Sequence, residues 1–243
     1  MPEGPSIVIL KELAYHFKSQ KVIAVSGNSK ENIARAAGED IIDLKSWGKH
    51  FLICFKNFTI RIHLMLFGSY RINEQREAAP RLSLSFKNGE LNFYNCSIKI
   101  IEEPLDQVYN WSEDIMSASW DAVAAENKLK LVPEMLACDA LLDQHIFSGS
   151  GNIIKNEVLF RIGVHPLSRI GKLPTNKVYE LINETHLYAF EFLAWKKAYV
   201  FKKHWLVYAK PICPKCALKI NRKHLGKTNR RTFFCVNCQH LYE

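Results

Sequence analysis

Up to its final residue, Glu243, the last fifth of this chain carries no acidic side chain. From Phe192 to Tyr242 there are 12 Lys/Arg and no Asp or Glu, while the remaining residues carry 21 Lys/Arg against 24 Asp/Glu. The whole of the formal net charge of +9 therefore comes from that stretch. No apolar run approaches the roughly 20 residues that span a bilayer, so no transmembrane helix is expected. No basic segment followed by an apolar one opens the chain, so no secretion signal is expected either. These absences predict a cytoplasmic protein with no membrane partner, associated with the nucleoid if bacterial. Internal repeats and low-complexity segments are also lacking. With 243 residues, 48% of them hydrophobic, the chain can build one large domain or two, and wholesale disorder is excluded.

Positive charge concentrated in this way favours an anionic polymer as partner; the alternative is a solvated basic face. Tyr199, Phe201, Trp205, Tyr208, Phe233 and Phe234 interleave with the basic residues, which fits a folded nucleic-acid module better than a floppy tail. Four of the seven cysteines lie in Cys213-Pro-Lys-Cys216 and Cys235-Val-Asn-Cys238, with 18 residues between the pairs. Two thiolate pairs at such spacing can surround one ion tetrahedrally, so one structural Zn2+ is expected. Four thiolates leave no open coordination position, which rules out a catalytic role for that ion. It would hold a hairpin carrying Arg222, Lys223, Lys227, Arg230 and Arg231, and would supply much of the folding energy of so small a unit. Cys54, Cys96 and Cys138 stand alone and read as buried free thiols.

The chain opens Met1-Pro2-Glu3-Gly4-Pro5. With the initiator methionine removed, Pro2 is a secondary amine able to attack an aldehyde-like carbon and form an iminium. An α-amino group has a pKa of roughly 8, so part of it is already the neutral nucleophile near pH 7. Glu3, one peptide bond away, could shuttle protons. A plain extended start is the alternative. Next, Ile7, Leu10, Ala14 and Phe17 recur at helical spacing and predict a helix to about Gln20. Residues 58–63 and 81–87 then alternate, the second stretch putting Leu82, Leu84 and Phe86 on one face, and Asn88-Gly89 turns tightly into 90–95. Short strands with such turns predict a two-layer β-sandwich. From Pro104 the period is helical, with helices expected over 114–125, 133–147, 155–162 and 175–195. The expected class is α+β: a β-sandwich with an N-terminal helix over 1–103, a linker over 104–113, a helical domain over 114–205 and a zinc finger over 206–243.

Between two of these helices, Gly149-Ser-Gly-Asn152 breaks one and opens the next. Glycine lets a backbone approach a ligand closely, and the N–H groups of a helix start favour a phosphate. Asn152 adds a side-chain donor. A simple turn is the alternative. The stretch from Leu141 to Pro166 resembles the helix–two-turns–helix motif of the formamidopyrimidine-DNA glycosylase/endonuclease VIII family. The Pro2-Glu3-Gly4-Pro5 start, Gly48-Lys49, His63–Gly68 and the terminal zinc ribbon occur in that family's order, so the resemblance spans essentially the whole chain.

The resemblance implies a monomer with DNA bound in a cleft between the sandwich and a helical domain with its zinc finger. It implies a bifunctional enzyme acting on double-stranded DNA with oxidised bases or abasic sites. Pro2 would attack the anomeric carbon and form a Schiff base, and successive eliminations would cut on both sides of the sugar. Glu3 matches the family's acid/base at the sugar, and Lys49 its lysine at the phosphate and the reaction centre. His63 matches a histidine near the DNA backbone, although a lone histidine in a core strand is also a common structural residue. Asn152 and Arg230 match phosphate-gripping residues, with the adjacent Arg231 as rival to Arg230. Met65, Leu66 and Phe67 stand where the family carries the loop that fills the hole left by a flipped base. Unstacking that base costs a few kcal/mol. Three apolar side chains on a loop suit such a wedge, and sandwich core is the alternative.

Within the family the chain leans towards endonuclease VIII and oxidised pyrimidines. Residues 94–99, Tyr-Asn-Cys-Ser-Ile-Lys, stand where the purine branch has an arginine-bearing segment that reads the opposite base. The stretch from Trp195 to Cys213 is short for that branch's lesion-capping loop. Three alternatives stay open: an oxidised-purine glycosylase of the same family, a non-catalytic damaged-DNA binder on this scaffold, and a zinc-ribbon RNA or ribosome-associated factor.

Overall fold

The computed structural model describes residues 2–243; Met1, on whose removal the amine chemistry depends, lies outside them. The chain divides into two compact units, one running to Asn110 and the other spanning Trp111–Glu243. Among the described residues no helix is long and apolar enough to cross a membrane.

The first unit opens with helix α1, Gly4–Ala14, which has a proline in its first turn, where a missing N–H costs nothing. Its apolar positions Ile7, Leu10 and Ala14 are buried. The helix expected to reach Gln20 stops at Ala14. A tight turn, Tyr15–Phe17, follows, and Ser19 takes a left-handed φ of 64°. The reason is tertiary: Phe17 enters the core, stacks on Phe86 at 4.3 Å and diverts the chain. Six antiparallel strands follow: β1 (Ala24–Ser26), β2 (Asp43–Trp47), β3 (His50–Cys54), β4 (Thr59–Ile72), β5 (Leu82–Phe86) and β6 (Gly89–Ile101). They form one sheet in the order β1-β5-β6-β4-β3-β2. The two layers expected from the alternation are thus one continuous hydrogen-bonded sheet, in which β4 and β6 run 14 and 13 residues. Leu82 and Leu84 near one edge and Leu44, Phe51 and Ile53 near the other belong to one core, together with α1. Each such buried aliphatic or aromatic side chain contributes roughly 1.5–3 kcal/mol. The segment expected as a linker carries a short helix, α2 (Leu105–Val108), and a buried Tyr109.

In the second unit the helices are α3 (Ala122–Lys130), α4 (Ala137–Ala140), α5 (Asn152–Arg161) and α6 (Thr175–Lys197). The last two match the sequence expectation. The helix expected over 114–125 begins only at Ala122, where Asp121 caps it by accepting from the Val123 and Ala124 amides at 2.9 and 3.0 Å. The preceding residues are turns, pinned by buried Asp114 on the Met116 amide. The helix expected over 133–147 shrinks to α4. There the Ala137 and Cys138 amides donate to the distant Ser168 and Pro166 carbonyls, at 2.8 and 3.1 Å, in place of helical partners. A two-stranded hairpin, β7 (Asn221–Leu225) and β8 (Arg230–Phe234), completes the unit. Its small core includes Phe160 of α5, so the ribbon and the helices share buried surface. Replacing the cap residue by Asp121→Ala is expected to lower stability by about 1 kcal/mol, read as a reduced thermal midpoint, while leaving the first unit unaffected.

Candidate active site and nucleic-acid interface

At the start of the first unit Pro2 is half-buried and Glu3 is fully buried. Glu3 precedes α1 in extended conformation, and its carbonyl accepts the Ser6 amide at 2.8 Å. The acid is therefore fixed by the helix start. Lys49 lies with Gly48 on the two-residue turn that joins β2 to β3, across which Trp47 pairs with His50. Gly48 has a φ of 53°, a conformation that favours glycine. His63 sits on β4 opposite His50, their rings 5.3 Å apart edge to face. Burial, then the charges of Lys49 and Arg61, lower the His63 pKa below its usual 6.5. His50 is lowered further, to about 3, by burial and by Arg61, His63 and Lys49. Without a bound anion, both rings therefore favour the neutral form near pH 7.

Met65, Leu66 and Phe67 are exposed by 51, 46 and 80%, which removes the core alternative for them. They are not on a free loop, however. They belong to the long strand β4, where pairing with β6 jumps from Leu64–Cys96 to Ser69–Tyr94. Four residues, Met65 to Gly68, therefore face the single Asn95, and the excess bulges outward. Gly68 closes the bulge: a side chain there would meet Leu64 Cα and the Met65 nitrogen at 2.8 Å. Residues 94–99 lie inside β6 and carry no protruding loop.

In the second unit Gly149, with a φ of 97°, turns the chain before α5, and Asn152 is the first residue of that helix. The Asn152 side-chain amide donates to the Arg231 carbonyl at 2.9 Å, so it holds the ribbon. Three further polar residues of α5, which the sequence reading passed over, extend the grip. Lys155 Nζ donates to Thr232 Oγ1 at 2.8 Å, and Asn156 Oδ1 accepts from the Phe233 amide at 2.7 Å. Glu157 accepts the Leu206, Val207 and Tyr208 amides at 2.9, 3.0 and 2.7 Å. From α4, Asp139 accepts the Lys227 and Thr228 amides at the hairpin tip, at 2.9 and 3.4 Å. The available signal was the polar run Lys155-Asn156-Glu157 between apolar residues of one helix, which marks buried polar work. Arg230 and Arg231 are both exposed. Because side chains alternate along a strand, Arg230 shares the face of Thr232 and Arg231 the face of Phe233.

The Sγ atoms of Cys213, Cys216, Cys235 and Cys238 all lie within 4.8 Å of one another, with Cys213–Cys238 at 3.7 Å and Cys216–Cys235 at 3.4 Å. Four thiolates around one tetrahedral ion at about 2.3 Å are roughly 3.8 Å apart, so the donor set fits a metal. The Leu218 amide draws Cys216 down to about 7, the group readiest to ionise.

Residues 1–97 match the model of the formamidopyrimidine-DNA glycosylase N-terminal domain. The chain is 30% identical over 252 residues to endonuclease 8-like 3 of Xenopus laevis, covering 95% of this chain and 41% of that protein. It belongs to the formamidopyrimidine-DNA glycosylase/endonuclease VIII family. The formamidopyrimidine-DNA glycosylase of Acinetobacter baumannii (strain SDF) is 24% identical and is matched over 98% of its length. The fold agrees with that of Lactococcus lactis formamidopyrimidine-DNA glycosylase, solved non-covalently bound to DNA containing an abasic site. The TM-score is 0.85 at 21% identity, over 98% of this chain and 99% of the other. The chain spans 34 to 41% of the endonuclease 8-like 3 proteins it matches.

Two outcomes follow from these electrostatics. The unfolded chain binds protons on His50 and His63 below about pH 6.5, whereas the folded chain resists them. Folding stability should therefore fall as pH drops below 6.5, by up to about 1.4 kcal/mol per pH unit for each fully differential proton. Urea midpoints at pH 7, 6 and 5 read this, and His50→Gln should flatten the curve. The cysteine cluster should hold one divalent ion per chain and release it on acidification, as protons compete for the thiolates. Native mass spectrometry measures the ion, and Cys213→Ser should lose it.

Proposed function

We propose that this chain is a DNA glycosylase and abasic-site lyase of base excision repair, acting on oxidised pyrimidines in double-stranded DNA. The observation that carries the reading is the fully buried Glu3 carboxylate beside a half-exposed Pro2. A carboxyl group held dry beside an accessible nitrogen is the pairing that amine catalysis at a sugar needs. With Met1 removed, the Pro2 nitrogen attacks the anomeric carbon. The base departs as Glu3 manages the proton, and the opened sugar is left as an iminium on Pro2. Elimination of the 3′ and then the 5′ phosphate cuts the strand. Lys49 acts at the phosphate and reaction centre. His63, the α5 start with Asn152, and Arg230 hold the backbone. Met65, Leu66 and Phe67 fill the space of the flipped base. One Zn2+ on the four cysteines keeps the ribbon hairpin formed and takes no part in the chemistry.

The pyrimidine preference is supported by the course of residues 94–99, which stay within β6 and pair with β4 on either side of Asn95, leaving no loop there to read an opposite base. The resemblance to the endonuclease VIII branch points the same way, and endonuclease 8-like proteins are among the relatives matched. The test is borohydride reduction on duplexes bearing thymine glycol, dihydrouracil or 8-oxoguanine. A covalent adduct is expected, stronger on the two pyrimidine lesions. Pro2→Gly should impair both steps, while Glu3→Gln should lose base removal and keep nicking of preformed abasic sites. Absence of any adduct, or an intact mass retaining Met1, would leave only a damaged-DNA binder.

A further inference from the structure

Lys49 is a flexible side chain on a turn of only two residues, and both residues that flank the turn are tied to one short segment of chain. Trp47 Nε1 donates to the Asn110 carbonyl at 2.9 Å. The Tyr109 hydroxyl and His50 Nδ1 are 3.2 Å apart. The three rings pack together, Trp47 to Tyr109 at 4.9 Å and His50 to Tyr109 at 5.8 Å between centroids. Trp47 and Tyr109 are buried. All five residues belong to the first unit, yet the tie joins a β-turn to a segment some 60 residues later, which no local periodicity would reveal.

We propose that Tyr109 and His50 are positioning residues for Lys49: their hydrogen bond, beside the Trp47–Asn110 bond, holds the turn so that the lysine backbone is already oriented before substrate arrives. This rests on the reading of Lys49 as a reaction-centre group. The Tyr109 hydroxyl and His50 Nδ1 share one hydrogen bond, its direction set by the histidine tautomer. Burial first, then the charges of Arg61 and Lys49 and the neighbouring His63 ring, keep the imidazole neutral. Burial likewise raises the Tyr109 pKa, so the hydroxyl keeps its proton. A phenylalanine at 109 would fill the same space without the bond, so packing and positioning separate cleanly. Fixing the backbone of a reacting group in advance removes entropy from the barrier, and small misplacements are expensive.

The experiment uses the full chain with lesion-bearing duplex, measuring single-turnover rate at saturating DNA and Kd separately. Tyr109→Phe and His50→Ala should slow the chemical step about tenfold while Kd stays within about twofold. His50→Asn, whose side-chain amide offers both an acceptor and a donor in place of Nδ1, should recover most of the rate. An unchanged rate in Tyr109→Phe, a loss that appears in Kd instead, or no recovery in His50→Asn overturns the proposal. Amide exchange at Gly48–His50 in the free protein is read in parallel. If the wild type traps no DNA but Tyr109→Phe speeds exchange there, the tie stands and the catalytic reading falls. Unchanged exchange overturns the tie itself.

Discussion

A fully buried carboxylate, Glu157, is the constraint on which the second unit depends. Burial alone pushes its pKa up, and the three backbone amides it accepts push back. An unpartnered ionised carboxylate in the interior costs several kcal/mol, so the 206–208 segment cannot leave without a large penalty. That segment leads directly into the ribbon. Asn152, Lys155 and Asn156 then hold β8 at Arg231, Thr232 and Phe233 in succession, and Asp139 holds the hairpin tip. The basic strand is thus gripped by its backbone and by Thr232, which leaves the arginine side chains free of the holding work. A helix of ten residues, nine of them buried, devotes its polar side chains to orienting another element.

The first unit solves a related problem with a sheet. A strand long enough to cross the whole sheet would be flat and featureless without its irregularity. The four-against-one bulge of β4 opposite Asn95 turns part of a core strand into an exposed apolar ridge. The cost of that exposure is carried by the regular pairing on either side. The Gly48-Lys49 turn is the opposite case, a short half-buried element packed by buried aromatic neighbours.

Much of this was legible in the residues. The two Cys-x-x-Cys pairs name a four-thiol cluster whatever the fold, because spacing alone decides which donors can meet. The acid-free basic stretch, the alternation of Leu82, Leu84 and Phe86, and the long amphipathic helix at Thr175 were equally plain. What misled was local periodicity where distant partners intervene. Residues 133–147 carry a helical pattern, yet Ala137 and Cys138 donate to Ser168 and Pro166. Phe17 continues the spacing of the first helix, yet the core takes it out of the helix. The apolar triplet after His63 reads as a loop, and it is a strand with too many residues for its partner.

The amino-acid order by itself determined the chemistry on offer: an amine-capable start, a thiolate quartet, a lysine on a glycine turn and a one-signed tail. Tertiary structure decided which polar groups are buried and what they hold, because burial is a property of neighbours and not of residue type. Alternation along β8 separates Arg230 from Arg231, and the meeting of Tyr109 with His50 joins positions that sequence distance keeps apart. Neither could be read until the chain had closed on itself.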